Sequence, residues 1–240
     1  MGIKERQTRD RETMRRAILD AARELFVAEG YGNVSIRKIA ERIEYSPAAI
    51  YGYFPSKDDI FFALAEEGFR LLCDRGAALR PESADVPPLD RIRAIFWRLY
   101  EFSREHPQYF DLMFVDRAVP RISREYERFA FAREMKGNII HAIQDAVDAG
   151  VLPRGANPAA VMRLMTVGIL GIAVLRLSER LTADENADAL ATDMLNITLA
   201  GLQSGIALES SVGPECPLDE QMTDEELMVR QAHHERVLTR

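Results

Sequence analysis

Hydrophobic residues recur at three- and four-residue spacing along most of this chain, the period of helices that bury one face. The expected fold class is therefore all-α. Over residues 11–29 the stripe is Ile18, Ala22, Leu25 and Phe26, and Gly30 stops it where a left-handed residue is cheap. Tyr31-Gly32-Asn33 reads as a turn, leaving Val34 to pack back in front of the next helix. Ile36, Ile39, Ala40 and Ile43 then share a face; Ile60, Phe61, Leu64, Ala65, Phe69 and Leu72 predict a helix from Ser56 to about residue 79. Past a proline-bearing loop at 81–88, Ile92, Ile95, Phe96, Leu99 and Phe102 mark a helix over 89–105, broken at His106-Pro107. A short apolar helix follows through Tyr109 and Leu112. Residues 118–149 read as one long helix, straight or bent, with Phe129, Met135, Ile139, Ile140 and Ile143 inward and Gly150 as its stop. Asn157-Pro158 opens another through Leu181, and Thr182 or Asp184 caps a last one to about Ile206.

The spacing is tightest over residues 35–57. Ser35 can cap a first short helix, because its hydroxyl accepts from the unpaired amides of the opening turn. Ser46 can cap a second, with Pro47 at the first helical position, where a missing N–H costs nothing. Two caps this close make a corner. The second helix is slim on its leading edge, Pro47-Ala48-Ala49, and ends in Tyr51, Tyr53 and Phe54. Ser56 and Asp59 then form a capping-box pattern for the third. This is a helix-turn-helix arrangement suited to a DNA groove.

The run IRKIAERIEYSPAAIYGYFPSKDDIFFAL resembles the DNA-binding segment of the TetR family of one-component transcription regulators, through Ile39-Ala40, Ser46, Ile50-Tyr51, Phe54, Ser56-Lys57 and Asp59-Ile60. The family usually has a glycine in the turn, whereas this chain has Glu44, so either the turn is strained or it takes another shape. The resemblance implies a homodimer that binds a double-stranded, pseudo-palindromic DNA operator and releases it on binding a small-molecule effector. It implies that Arg37, the Pro47, Ala48 and Ala49 edge and Tyr51 face bases, with Ser46 capping that edge, while Ser35, the Ala49 backbone, Tyr53 and Lys57 hold phosphates. The His106-Pro107 break and the aromatic run after it also resemble the family's ligand domains.

A formal net charge of −7 argues against a nucleic-acid binder until its distribution is read. The first sixteen residues hold Lys4, Arg6, Arg9, Arg11, Arg15 and Arg16 against three acids, next to the reading head, whereas the tail is acidic. This basic arm serves either phosphate neutralisation or merely a solvated helix start. The longest uncharged run, Leu164–Leu175, falls short of the ~20 residues a membrane span needs, and the charged N-terminus shows no signal-peptide core. A cytoplasmic protein with no membrane partner is expected. Cys73 and Cys216 offer no disulfide or metal framework, and the adjacent His233 and His234 point to different helix faces, so no metal is expected. No nucleophile elbow, Walker loop or dinucleotide fingerprint occurs, and His106 and His141 read as a helix terminus and a core histidine. Catalysis and cofactors are therefore not expected.

What remains is binding. Trp97, Tyr100, Phe110, Met113, Phe114, Met135, Met162 and Met165 are candidates to line a cavity for an apolar or amphipathic effector, or are plain core. Residues 161–175 are apolar nearly all round, which fits either an ordinary core helix or, by the resemblance, a dimer interface shared with 184–206. The expected organisation is a basic arm and DNA-binding head at 1–55, a helical ligand-binding and dimerisation body at 56–208, and an acidic tail at 209–240, disordered or loosely helical. Two rivals stay open: a helical dimeric interaction protein that has lost DNA binding, and a helical enzyme.

Overall fold

In a computed structural model of the chain, which describes residues 3–74, 86–120 and 130–209, every regular element is helical. Helix α1 spans Ile3–Glu29, eight residues more than its apolar stripe predicts, and the added turns carry an Arg6–Asp10 pair at i,i+4 and a Thr13 hydroxyl donating to the Arg9 carbonyl. The basic arm is thus helix. Gly30 closes α1 at φ 80, and its N–H donates to the Phe26 carbonyl. A 3₁₀ turn, Tyr31–Asn33, leads into α2 (Ile36–Arg42) and α3 (Pro47–Tyr51). Helix α4 (Lys57–Asp74) begins on the expected capping box, with the Asp59 amide donating to Ser56 Oγ at 3.1 Å and Ser56 Oγ donating to the Asp59 carboxylate at 2.6 Å.

Helix α5 (Pro88–Glu105) is the axis of the body, packed against α4, α6 (Pro107–Phe110), α7 (Ala130–Asp148), α8 (Pro158–Leu177) and α9 (Ala187–Gln203). Because neighbours surround it, α5 buries Tyr100, Ser103 and Arg98 as well as the expected Ile92, Ile95, Phe96 and Phe102. Helix α6 widens into a π-helical turn, Asp111–Val115. The long helix expected from 118 does not begin there: the chain turns at 117–119, where the Asp116 carboxylate accepts from the Ala118 amide; of that stretch the described helix is Ala130–Asp148.

Two further boundaries differ from expectation. Helix α8 ends at Leu177 rather than Leu181, because Glu179 turns left-handed at φ 53. Helix α9 is capped by Asn186, whose side chain accepts from the Asp188 and Ala189 amides; Thr182 instead closes a turn in which its own amide donates to Glu185.

One hydrophobic cluster runs from Ile18, Phe26, Ile39 and Ile50 through Phe61, Leu64 and Phe69 of α4 to Phe102, Phe110 and Met113. The expected division at 55/56 is therefore not a break in the core; α4 belongs to both sides of it. Contacts group residues 1–207 as one unit and 208–240 as a second. The expectation of a disordered or loosely helical tail falls almost wholly outside the described residues.

Candidate nucleic-acid interface

The corner between α2 and α3 is built by three local devices. Ser35 Oγ accepts from the Lys38 amide at 3.2 Å, and Ser46 Oγ accepts from the Ala49 amide at 3.2 Å, so both helices start on the caps the sequence offers. Between them, the Glu44 amide donates to the Glu41 carbonyl and the Tyr45 amide to the Ala40 carbonyl, with Glu44 at φ 60. That is the Schellman pattern of a left-handed helix stop, so of the two shapes open for this turn the glycine-like one is adopted by a glutamate.

These devices set what α3 presents. Ile50 is buried and anchors the helix, whereas Pro47, Ala48 and Tyr51 are exposed and Ala49 half-buried. Tyr51 keeps 55% of its surface free. Arg37 is on the exposed side of α2, its Nε donating to Glu41 at 2.9 Å; such an exposed i,i+4 pair is worth only ~0.3–0.5 kcal/mol, so the guanidinium is readily surrendered to another acceptor. Tyr53 is half-buried, and the Arg11 guanidinium lies 5.6 Å from its ring centre; Arg15 lies likewise 5.3 Å from the ring of buried Phe54. The basic turns of α1 are thereby held beside the end of α3. These two stackings were missed from sequence, since nothing in local spacing connects Arg11 or Arg15 to residues some forty positions away.

Lys57 is also tied into the head: its ammonium donates to the Tyr31 and Val34 carbonyls at 2.8 and 3.0 Å and lies 3.9 Å from the Tyr31 ring centre, so two of its three N–H donors brace the fold. Tyr31 is a hub: its hydroxyl donates to Asp58, and its amide donates to Asp116 at 3.1 Å, across to the end of the π turn. Burial and the Asp58 carboxylate push the Tyr31 phenol well above its ordinary range. A second bridge is Arg23, which donates to Tyr109 Oη at 2.9 Å and stacks on that ring, and a third is Arg16, which donates to Glu67 at 2.7 Å.

The eight cavity candidates fall into two groups. Phe110, Met113, Phe114 and Met135 belong to the head–body core, with Phe114 between Phe69 and Phe110 at 6.4 and 5.2 Å and Met113 against Gly68. Tyr100, Met162 and Met165 are buried elsewhere in the body, and Trp97 stacks beside Tyr100 at 5.2 Å. The Tyr100 hydroxyl donates to Asp188 at 2.7 Å, and burial pushes its pKa up to about 12. Among the described residues no group of His, Cys, Asp and Glu is placed to hold a metal ion. By length and composition alone α8 could cross a membrane, yet it packs against α5, α7 and α9.

Comparisons with known proteins match both halves. The family described as bacterial regulatory proteins, tetR family, matches residues 18–64, and the tetracyclin repressor-like C-terminal domain matches residues 92–197. A helix-turn-helix-type transcriptional repressor of Mycobacterium tuberculosis is 45% identical over 53 residues, 22% of this chain and 28% of that one. The nucleoid occlusion factor SlmA of Vibrio vulnificus is 35% identical over 94 residues, 39% of this chain and 47% of that one. Each match thus spans less than half of the curated relative. The transcriptional regulator FadR of Bacillus subtilis, solved in complex with stearoyl-CoA, shares the fold with a TM-score of 0.64 at 14% identity, covering 77% of this chain and 97% of that one.

Proposed function

The chain belongs to the TetR family of bacterial transcription regulators, and from that premise we propose that it is a cytoplasmic, homodimeric repressor whose operator is released by an apolar or amphipathic effector. The observation that carries the DNA reading is the bare edge of α3: the Ile50 anchor turns Pro47, Ala48 and Tyr51 outward, and the Arg11 and Arg15 stackings bring positive charge to the same end. A slim helix can seat deep in a major groove, where small side chains and a phenol meet base edges and Arg37 can pair with a guanine. Ser35, the Ala49 amide and Tyr53 are the proposed phosphate contacts, and arginines of α1 add charge that binds without reading sequence.

Dimerisation is supported by apolar residues that the single chain leaves exposed on α8 and α9: Leu164, Val167 and Leu175, with Leu190 and Ile197. Ile197 keeps 71% of its surface exposed, and contiguous exposed apolar residues of this kind mark an interaction surface. A twofold pairing there would set two α3 helices for half-sites about one helical turn apart. An effector seated among the buried aromatics and methionines of the body would favour a conformer with a different head spacing, and operator affinity would fall by linkage. The Tyr31–Asp116 and Arg23–Tyr109 bridges are the contacts through which a shift at α6 would reach the head.

A gel shift with the DNA upstream of the chain's own reading frame tests this. Wild type binds with a steep loss on adding salt, and Tyr51→Ala and Arg37→Ala bind at least tenfold more weakly. Retention of full affinity by both variants would leave the interaction-protein reading in its place.

A further inference from the structure

Arg23, Arg91 and Arg176 each bury an Nε with no hydrogen-bond partner among the described residues, and Arg98 alone of the four buries two such donors on one edge. It lies on the central helix α5 with 8% of its surface exposed, two turns on from Arg91 and flanked on its own face by buried Ile95 and Phe102. Its Nη1 donates to Glu105 at 2.9 Å and lies 3.6 Å from Glu101, both half-exposed. Its Nε and Nη2 are buried and find no hydrogen-bond partner among the described residues. Those two atoms carry the parallel N–H groups of the guanidinium's side-on edge, which matches the two oxygens of a carboxylate or phosphate. Leaving buried donors unmet is costly, so proteins seldom do so without a use for them. Arg91 repeats the feature in part: its guanidinium pairs with Asp145 on α7 while its buried Nε is unmet. The spacing of seven places both arginines on the face of α5 turned to α7.

We propose that Arg98 is the anion-recognition residue of the effector site: the effector is a small molecule with an apolar body and one carboxylate or phosphate group, received side-on by Nε and Nη2. This rests on the reading of the body as a ligand-binding domain and specifies its ligand class. Glu101 and Glu105 engage Nη1, which leaves Nε and Nη2 as the buried open edge. Their charge opposes an incoming anion, but half-exposed carboxylates are screened by water, whereas the open edge is not.

The test uses purified full-length protein, with melting temperature and native mass as readouts, and decanoate, decyl phosphate, 1-decanol and inorganic phosphate as probes. Wild type is expected to bind decanoate or decyl phosphate at least tenfold more tightly than 1-decanol; which of the two anions binds better separates a carboxylate from a phosphate effector. Arg98→Lys keeps the charge and the Glu105 pair but lacks the fork, and should lose that preference while melting within a degree or two of wild type. Arg98→Met removes the charge together with the Glu105 pair and should bind 1-decanol as wild type does while losing the preference for the anions, whereas a purely structural arginine would leave that preference in place. Equal binding of decanol and the anions, binding of no amphiphile, or a preference unchanged in Arg98→Lys would overturn the proposal. Operator release is scored separately: anion binding through Arg98 without release sinks the effector reading and leaves this site standing.

Discussion

Replacing Glu44 by glycine should stabilise the protein, although glycine is usually the poorer residue in an ordered chain. Glu44 sits at φ 60, in the left-handed region, where an L side chain costs about 1–2 kcal/mol. Glycine removes that cost but gives up roughly 0.5–1 kcal/mol of extra chain entropy on folding, so the net gain is about 0–1.5 kcal/mol, centred on roughly 0.7. Across a chain of this size that is a rise in melting temperature of about 2–4 °C per kcal/mol. Among the described residues the same helix stop occurs three more times: at Glu179 with φ 53, and at Gly150 and Gly205 with φ 71 and 85, each with its own amide donating to the carbonyl three residues back and the next amide to the carbonyl five back. These supply internal controls. Glu44→Ala removes the carboxylate and keeps the strain, so it should gain nothing; Glu179→Gly should gain as Glu44→Gly does. Gly150→Ala should lose about 1 kcal/mol, and since a Cβ there meets nothing within 4 Å, only the backbone can be responsible. Urea titrations of the four variants decide it. If Glu44→Gly is no more stable than Glu44→Ala, the strain at this turn is not real.

Other perturbations separate roles that a stability measurement alone would blur. Lys57→Met should cost about 2 kcal/mol by abandoning the Tyr31 and Val34 carbonyls, while the slope of operator affinity against salt stays as in wild type, since those carbonyls engage the ammonium; a slope lower by one contact would contradict that. Gly68→Ala drives a methyl into the Met113 thioether and should destabilise by about 1–3 kcal/mol, with recovery in the Gly68→Ala, Met113→Ala double variant; no recovery would mean that the backbone, not the thioether, is the obstacle. Asp111 is held above the ordinary carboxylate range by burial and then by Asp116, so its ionisation opposes folding. A raised folded pKa means stability present below pH 3.8 is lost as pH rises, so Asp111→Asn should be more stable than wild type at pH 7 and equal to it near pH 3; a constant difference would refute the sign.

The helices of this fold were readable wherever an apolar stripe and a side-chain cap coincided. Ser35, Ser46 and Ser56 each cap as their spacing suggests, because capping is a contact between residues three positions apart. Boundaries set by other means were misread. The end of α8 depends on Glu179 accepting a left-handed conformation, which its side chain does not advertise, and the start of α1 rests on exposed charge pairs outside any apolar stripe. The outward edge of α3 was legible from its small residues. The Lys57 brace and the Arg11 and Arg15 stackings were not, since each joins residues more than twenty positions apart. Arg98 left one trace: a charge set between Ile95 and Phe102 on the buried face of α5.

The regulator reading is tested most directly by footprinting the protein on the DNA upstream of its own reading frame while counting bound chains by native mass spectrometry. Two protected major-groove patches about one helical turn apart, with an even number of chains bound and both patches lost in Tyr51→Ala, is the expected result. A single chain bound to one patch, or protection that survives the loss of Tyr51, would contradict it.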